Sequence, residues 1–446
     1  MLAERTFGGL AVATMVILAM IACTPIVRRG GDSAGAGAGG TTETGGMTGS
    51  GGETETGGTT ETGGTTETGG TTETGGEIGT GGVIEIDAGV ATGGVAGTSG
   101  LGTGGRTTIL GGLGGTTSTV CGVATTYGWA STQALVDPVS DSSHSLVGIK
   151  APTVVRYNDR YHVFATVVDK AGKLSMQYMS FADWVNAPMA TADYLDNNPD
   201  FAGERSQPQV FYFTPKKTWY LISQASGPSY STNSDITMAS DWSKPAPFYS
   251  AMPAIVKSNA GTGGIGWTDF WIICDGTNCH MFFTNQLGYV FRAQTSAGSF
   301  PNGFGEPVLV VYPGSDGKDR TQNSYWREGA RIYKVKSGGY VMTVEGYGSG
   351  GRYIGVWSAT ALDGKWSPLA DAEANPFASA NNGNASFAGA QWTKDVSHGE
   401  LIRDGYDETM TIDNCNMRYF YAGKDPFSAA KEEPYPWKLG LLVRSQ

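Results

Sequence analysis

From Thr153 onward, apolar residues come in short runs separated by turn residues, and the runs fall into pairs. Residues 153–157 and 161–165 flank Asn158-Asp159, residues 209–213 and 219–222 flank Pro215-Lys-Lys217, and residues 270–274 and 280–283 flank a turn from Asp275 to Asn278. Residues 330–333 and 340–343 flank Ser337-Gly-Gly339, and residues 409–412 and 417–421 flank Asp413-Asn414. β-Branched and aromatic runs interrupted in this way predict antiparallel hairpins. The second strands open at 161, 219, 280, 340 and 417, so the unit recurs after 58, 61 and 60 residues and then after 77. Helix-period segments are almost absent. A hairpin repeat near sixty residues predicts an all-β, five-bladed β-propeller with four strands per blade, the long last step holding an extra strand or loop. A β-sandwich also alternates, but nothing in it calls for such even spacing.

The first quarter of the chain follows other rules. Arg5, an apolar run from Leu10 to Ile21 and then Ala22-Cys23 read as an export signal. Met20-Ile21-Ala22-Cys23 resembles a bacterial lipobox, which predicts lipidation at Cys23 and a lipid-anchored protein at the outer cell surface; a plain signal peptide or an uncleaved anchor is the alternative. Residues 24–117 are Gly, Thr, Ser, Glu and Ala with few large apolar side chains, and TTETGG repeats three times in succession from Thr59 to Gly76. Such a segment cannot bury enough surface to offset its ordering entropy, and it reads as a linker. The expected division is therefore 1–23 signal peptide, 24–117 linker and 118–446 functional domain, acting as a monomer.

A net charge of −11 argues against nucleic acid as a partner, and leaves a lipid anchor as the one membrane attachment. Beyond Cys23 four cysteines remain. Cys274 and Cys279 sit on the two strands of one hairpin, which leaves Cys121 to pair with Cys415 and close the domain end to end. Zinc is the competing reading, but the spacing is wrong and the chain has only 4 His.

Just before the inner strands stand Lys150-Ala151-Pro152, Ser206-Gln207-Pro208, Thr268-Asp269-Phe270, Arg327-Glu328-Gly329 and Ser397-His398-Gly399. In a propeller these converge at the axis, so Asp269, Glu328 and His398 are expected to face one another. Two carboxylic acids across such a site are the minimum for glycoside hydrolysis, one protonating the leaving oxygen and one activating water. His398 could instead hold a structural cation through water, or satisfy a core hydrogen bond.

At several motifs the chain from Cys121 onward resembles glycoside hydrolase family 62, α-L-arabinofuranosidases related to family 43. These are Tyr127-Gly-Trp-Ala-Ser-Thr132, Phe211-Tyr-Phe-Thr-Pro215, Gly351-Arg-Tyr353, Thr360-Ala-Leu-Asp-Gly-Lys-Trp366, Asn375-Pro-Phe377, Asp395-Val-Ser-His-Gly-Glu-Leu-Ile-Arg403 and Met410-Thr-Ile-Asp-Asn-Cys-Asn416. The resemblance implies an inverting hydrolase acting on arabinose side chains of xylan or arabinan. It implies Glu328 as general acid, Asp269 as the carboxylate that tunes the acid and orients the sugar, and one structural calcium ion near His398, with no organic cofactor. Lys150, Gln224, Arg352, Tyr353 and Tyr421 match positions lining the arabinose pocket. The general base does not match: the family pattern has Asp where this chain has Ala151, and a methyl group cannot accept a proton. Ala225 likewise stands where the family shows Trp. Three readings follow: a hydrolase whose base is Asp141, Glu204 or Glu345; a carbohydrate-binding pseudoenzyme on a surface tether; or a hydrolase that uses Asp269 and Glu328 as its pair.

Overall fold

Four of the sequence repeats fold as meanders of four antiparallel strands. The computed structural model describes residues 121–260, 266–285, 287–312, 327–381, 383–426 and 434–445. The expected signal peptide, Cys23 and the linker lie outside those residues. The first blade comprises Leu146–Tyr157, Arg160–Asp169, Leu174–Phe181 and Ala192–Tyr194, and the second Ser206–Phe213, Thr218–Gln224, Pro228–Asn233 and Ala246–Pro247. The third comprises Thr268–Cys274, Asn278–Thr284, Val290–Ser296 and Val308–Val311. The fourth comprises Arg327–Val335, Tyr340–Gly348, Gly351–Ala359 and Ser367–Ala372. In the first hairpin Asn158 and Asp159 both take left-handed backbone, φ 47° and 56°, the tight primed turn whose twist matches the strands.

The expectation of five blades is corrected to four. The predicted fifth hairpin does not form: Thr411–Ile412 instead adds a parallel edge to the fourth blade, Lys334 opposite Thr411. Arg418–Lys424 pairs with Ser397–Leu401 and with Trp437–Arg444. That remaining sheet is a composite, in which Trp437–Arg444 pairs with the N-terminal strand Trp129–Ser131, which in turn takes Ala385–Phe387 as a parallel neighbour. The long last step of the repeat was the trace of this change. A strand from each end of the domain closes the sheet, and Cys121–Cys415 ties the two ends together across 294 residues of chain. Cys274–Cys279 joins directly opposed residues of the third blade's hairpin, so both expected disulfides are present.

Large side chains fill the space between sheets. Trp219, Trp242, Leu221 and Phe164 are buried in one cluster, and Trp271, Tyr333, Trp357 and Phe282 in another. Away from the candidate site, polar groups stitch the inner strands together. Glu400 Oε2 accepts from the Val154 amide at 2.9 Å, and Arg403 Nη2 donates to the carbonyls of Val154 and Val210 at 3.0 and 2.8 Å. Gln209 binds Ile272 through both its amide oxygen and its nitrogen, each at 2.7 Å. Removing one partner of such a buried bond costs about 1–3 kcal/mol, so these residues fix how the inner strands meet.

Candidate active site

Each blade's inner strand breaks its ladder at its start. Pairing slips between Lys150 and Thr153, Ser206 and Gln209, Thr268 and Trp271, and Glu328 and Arg331. The first residue inside each slip has left-handed backbone: Ala151 (φ 49°), Gln207 (55°), Asp269 (61°) and Gly329 (66°). This register corrects the sequence alignment, which set Glu328 level with Asp269. Glu328 is one residue earlier and matches Lys150, Ser206 and Thr268, whereas Gly329 matches Asp269 and Ala151. The glycine is needed twice over, because of its φ and because a Cβ there would lie 2.4 Å from the His398 ring.

The bulge delivers Glu328 into a buried charge network. On the second strand of the fourth blade Glu345 stands opposite Glu328, and Tyr347 shares its face two residues on. Arg352 lies opposite Tyr347 on the third strand. Arg352 Nη1 reaches Glu345 Oε1 at 2.5 Å and Glu328 Oε1 at 3.1 Å, and its guanidinium lies over the rings of Tyr347 and Trp437, 4.4 and 5.4 Å from their centroids. Tyr347 donates its hydroxyl to Glu328 Oε1 at 2.5 Å. From the closing sheet, His398 Nδ1 meets Glu345 Oε2 at 2.8 Å, and Nε2 faces Asp269 Oδ2 at 3.5 Å. Asp269 Oδ2 also accepts from Thr284 Oγ1 and the Gly329 amide, each at 3.2 Å. Asp269, Glu328 and His398, expected to converge, thus do share one centre.

Burial and charge then separate the carboxylates. Burial raises the Glu328 pKa, Glu345 and Asp269 add to the rise, and His398 and Arg352 offset it only in part. Burial acts against ionised Asp269 too, but His398 and Arg331 outweigh it and its pKa falls. Glu345 is also held ionised against burial, by His398 and Arg352. His398 is raised well above its ordinary value, because Glu345 and Asp269 more than offset its burial. A carboxyl held above its ordinary pKa beside carboxylates held below theirs is the division of labour that acid-catalysed bond cleavage needs.

Other expected residues go elsewhere. Gln224 sits beside Asp269, accepting from its amide at 2.8 Å. Lys150 is buried at the first-blade position that Glu328 holds in the fourth. Tyr353, next to Arg352, points to the opposite face of its strand, under the guanidinium of Arg327, which is itself held by Asp371 at 3.1 Å. Tyr421 is buried between Ser131, at 2.8 Å, and the Trp392 ring. Tyr347 escaped sequence reading. Its alternation with Glu345 was visible, but without the register nothing tied either residue to Glu328.

The candidate replacement bases differ sharply in their commitments. Asp141 Oδ1 is exposed and takes the amides of Ser143 and His144, both at 2.7 Å, together with the His144 ring. Glu345 is sealed in the network, bound also by Ser397 Oγ and the His398 amide. Glu204 makes no hydrogen bond or ion pair with another described residue, and it lines an open cleft of about 220 Å³ with Ser206, Gln224, Ala225, Trp267 and Phe270. Asp269 also borders a cavity of about 10 Å³, room for about one water, and its Oδ1 is buried without a hydrogen-bond partner among the described residues. Glu328, Glu345 and His398 place ligand atoms within 4.8 Å of one another, the one such trio among the described residues, but Arg352 already supplies a positive charge between the two glutamates.

Comparison with known proteins agrees with this geometry. The sequence model described as glycosyl hydrolase family 62 matches residues 128–443. Alpha-L-arabinofuranosidase C of Cellvibrio japonicus is 39% identical over 329 residues, which are 73% of this chain and 48% of that protein, so the chain spans about half the length of this relative. The catalytic domain of the Coprinopsis cinerea GH62 alpha-L-arabinofuranosidase is 43% identical, with a TM-score of 0.67 over 72% of this chain and 98% of that one. A GH62 hydrolase solved in complex with xylotriose is 39% identical, with a TM-score of 0.66 over 72% and 98% of the two chains.

Proposed function

Because the chain belongs to glycosyl hydrolase family 62, we propose that it is an exported α-L-arabinofuranosidase that trims arabinose side chains from arabinoxylan or arabinan. The reading rests chiefly on Glu328, a buried carboxyl with raised pKa set among the ionised Asp269 and Glu345. Glu328 gives its proton to the glycosidic oxygen as the bond to the anomeric carbon breaks. Water attacks that carbon from the opposite face, inverting it, and loses its proton to a carboxylate. Residue 151 stands where that carboxylate is expected and carries only a methyl group. Glu204, uncommitted on the cleft wall, is the base in this proposal, while Asp269 orients the sugar and tunes the acid.

The proposal extends to the whole chain. The signal-like segment and the lipobox-like Cys23 support a protein tethered to the outer cell surface by its linker, and we propose that it acts there as a monomer. One structural calcium ion near His398 belongs to the same reading; both ring nitrogens of His398 already face carboxylates, so the ion would be held through water, which completes the six to eight oxygen ligands that calcium takes. Chelation should then lower the unfolding temperature without being needed for each turnover.

Ala151 favours one other reading, a pseudoenzyme that binds arabinosylated polysaccharide without cutting it. Incubation with arabinoxylan decides between them. Released arabinose with inverted anomeric configuration, followed by NMR, supports hydrolysis. Retention of the polysaccharide in a pull-down with no sugar released supports binding alone.

A further inference from the structure

The acid's two oxygens have different surroundings. Glu328 Oε1 accepts from both Tyr347 and Arg352, at 2.5 and 3.1 Å. Oε2 makes no hydrogen bond to any described residue, and the side chain retains 10% exposure. Arg352 is held by Glu345 and by the two rings it lies between, so it cannot follow Glu328 if that side chain turns. Tyr347 closes the arrangement, its hydroxyl hydrogen-bonded to the acid and its ring under the guanidinium.

We propose that Tyr347 is a positioning residue for the acid: with Arg352 it reserves Oε1 as an acceptor, so that the transferable proton resides on Oε2, the oxygen left open to substrate. The reasoning is one of hydrogen-bond capacity. A carboxylic acid has one O–H, and an oxygen that already faces two donors is a poor place for it. In the forward step the Oε2–H bond breaks, the proton passes to the glycosidic oxygen, and that oxygen leaves the anomeric carbon with the bonding pair. The carboxylate so formed keeps its charge against Tyr347 and Arg352, so the same two donors that orient the acid also stabilise its conjugate base. This rests on the proposed role of Glu328.

Tyr347→Phe removes the hydroxyl and keeps the ring beneath Arg352. Its expected effect is a fall of about tenfold or more in kcat on arabinoxylan, with KM nearly unchanged, since a misaligned acid loses part of the roughly 10²–10⁴-fold that general acid catalysis supplies. On a 4-nitrophenyl arabinofuranoside, whose leaving group needs little protonation, the fall should be under about threefold. Equal losses on both substrates would mean that the tyrosine is merely structural, and would overturn the proposal. A second readout works without turnover: with Glu328 labelled at its carboxyl carbon, the NMR titration should move to higher pH in Tyr347→Phe, because a donor to the ionised form is gone. The groups facing that carboxyl are Arg352, Glu345, Asp269 and His398, all unchanged in the variant. An unmoved titration would sink the positioning role even if the chain releases no arabinose, whereas a shifted titration with an inactive parent would sink the hydrolase reading alone.

Discussion

The inner strands of the first and third blades start in the same backbone shape and carry opposite chemistry. Ala151 and Asp269 both occupy the first residue of a slipped ladder, with φ 49° and 61°. Left-handed backbone costs a non-glycine residue about 1–2 kcal/mol, and Asp bears it better than Ala because its short polar side chain can bond locally. Asp269 uses the geometry, placing Oδ2 within reach of Thr284, the Gly329 amide and His398. Ala151 has the same strain, is fully buried and does nothing with it. Backbone shape and side-chain chemistry are therefore separable here: the bulge is built into how the blades meet at the axis, and it forms with a methyl group as well as with a carboxylate.

Breaking the functional side of this comparison should give the largest effect. Glu328→Gln keeps the hydrogen bonds to Oε1 but has no proton of suitable acidity, so arabinose release should drop about 10²–10⁴-fold. Circular dichroism should show an intact fold, and retained activity would remove Glu328 from its role. Filling the silent side comes next. Ala151→Asp places a carboxylate on a backbone already shaped for one, and release should rise at least about tenfold. No gain, with the fold intact, would mean that the base lies elsewhere. Wild-type activity should also persist to higher pH than an ordinary carboxylic acid would allow, because the Glu328 pKa is raised and the acid must start protonated. A pH–rate profile whose basic limb falls in the usual carboxylate range would contradict this.

Much of this was legible in the sequence, and the failures have a common cause. The first four hairpins and the meeting of Asp269, Glu328 and His398 followed from turn residues and an even period, and both disulfides from the four cysteines left beyond Cys23, two of them on one hairpin. What failed needed long-range pairing. The segment 409–412 has the composition of a strand and is expected to pair with its nearest neighbour in sequence, yet it lies alongside the fourth blade, where the amides of Lys334 and Lys336 donate to the carbonyls of Met410 and Ile412. Lining up the repeats sets Glu328 one residue out of register because a bulge leaves no mark in hydrophobic alternation; the slip in pairing after Glu328 and the positive φ of Gly329 reveal it. The resemblance puts both Arg352 and Tyr353 in the arabinose pocket, but adjacent strand residues face opposite ways, and Tyr353 lies under Arg327 instead.

Glu204→Gln sharpens the comparison from a third direction, with an expected loss of several-fold to about tenfold in the parent chain and little or none in the presence of Ala151→Asp. If both backgrounds lose activity equally, Glu204 assists binding rather than water activation. The smallest effect should come from the backbone itself. Ala151→Gly relieves the left-handed strain and removes only a methyl group, but it adds freedom to the unfolded chain, so the two changes oppose each other. The relief is the larger where φ is positive, and chemical denaturation should show a gain of about 0.5–1 kcal/mol with no change in arabinose release. A comparable gain at Asp269→Gly would be a surprise, because there the lost side chain holds His398 and the Gly329 amide, and its removal leaves a buried imidazolium short of one of its two counter-charges. Opposite signs at two positions of similar φ would show that, of these two blades, only the third puts its left-handed backbone to use.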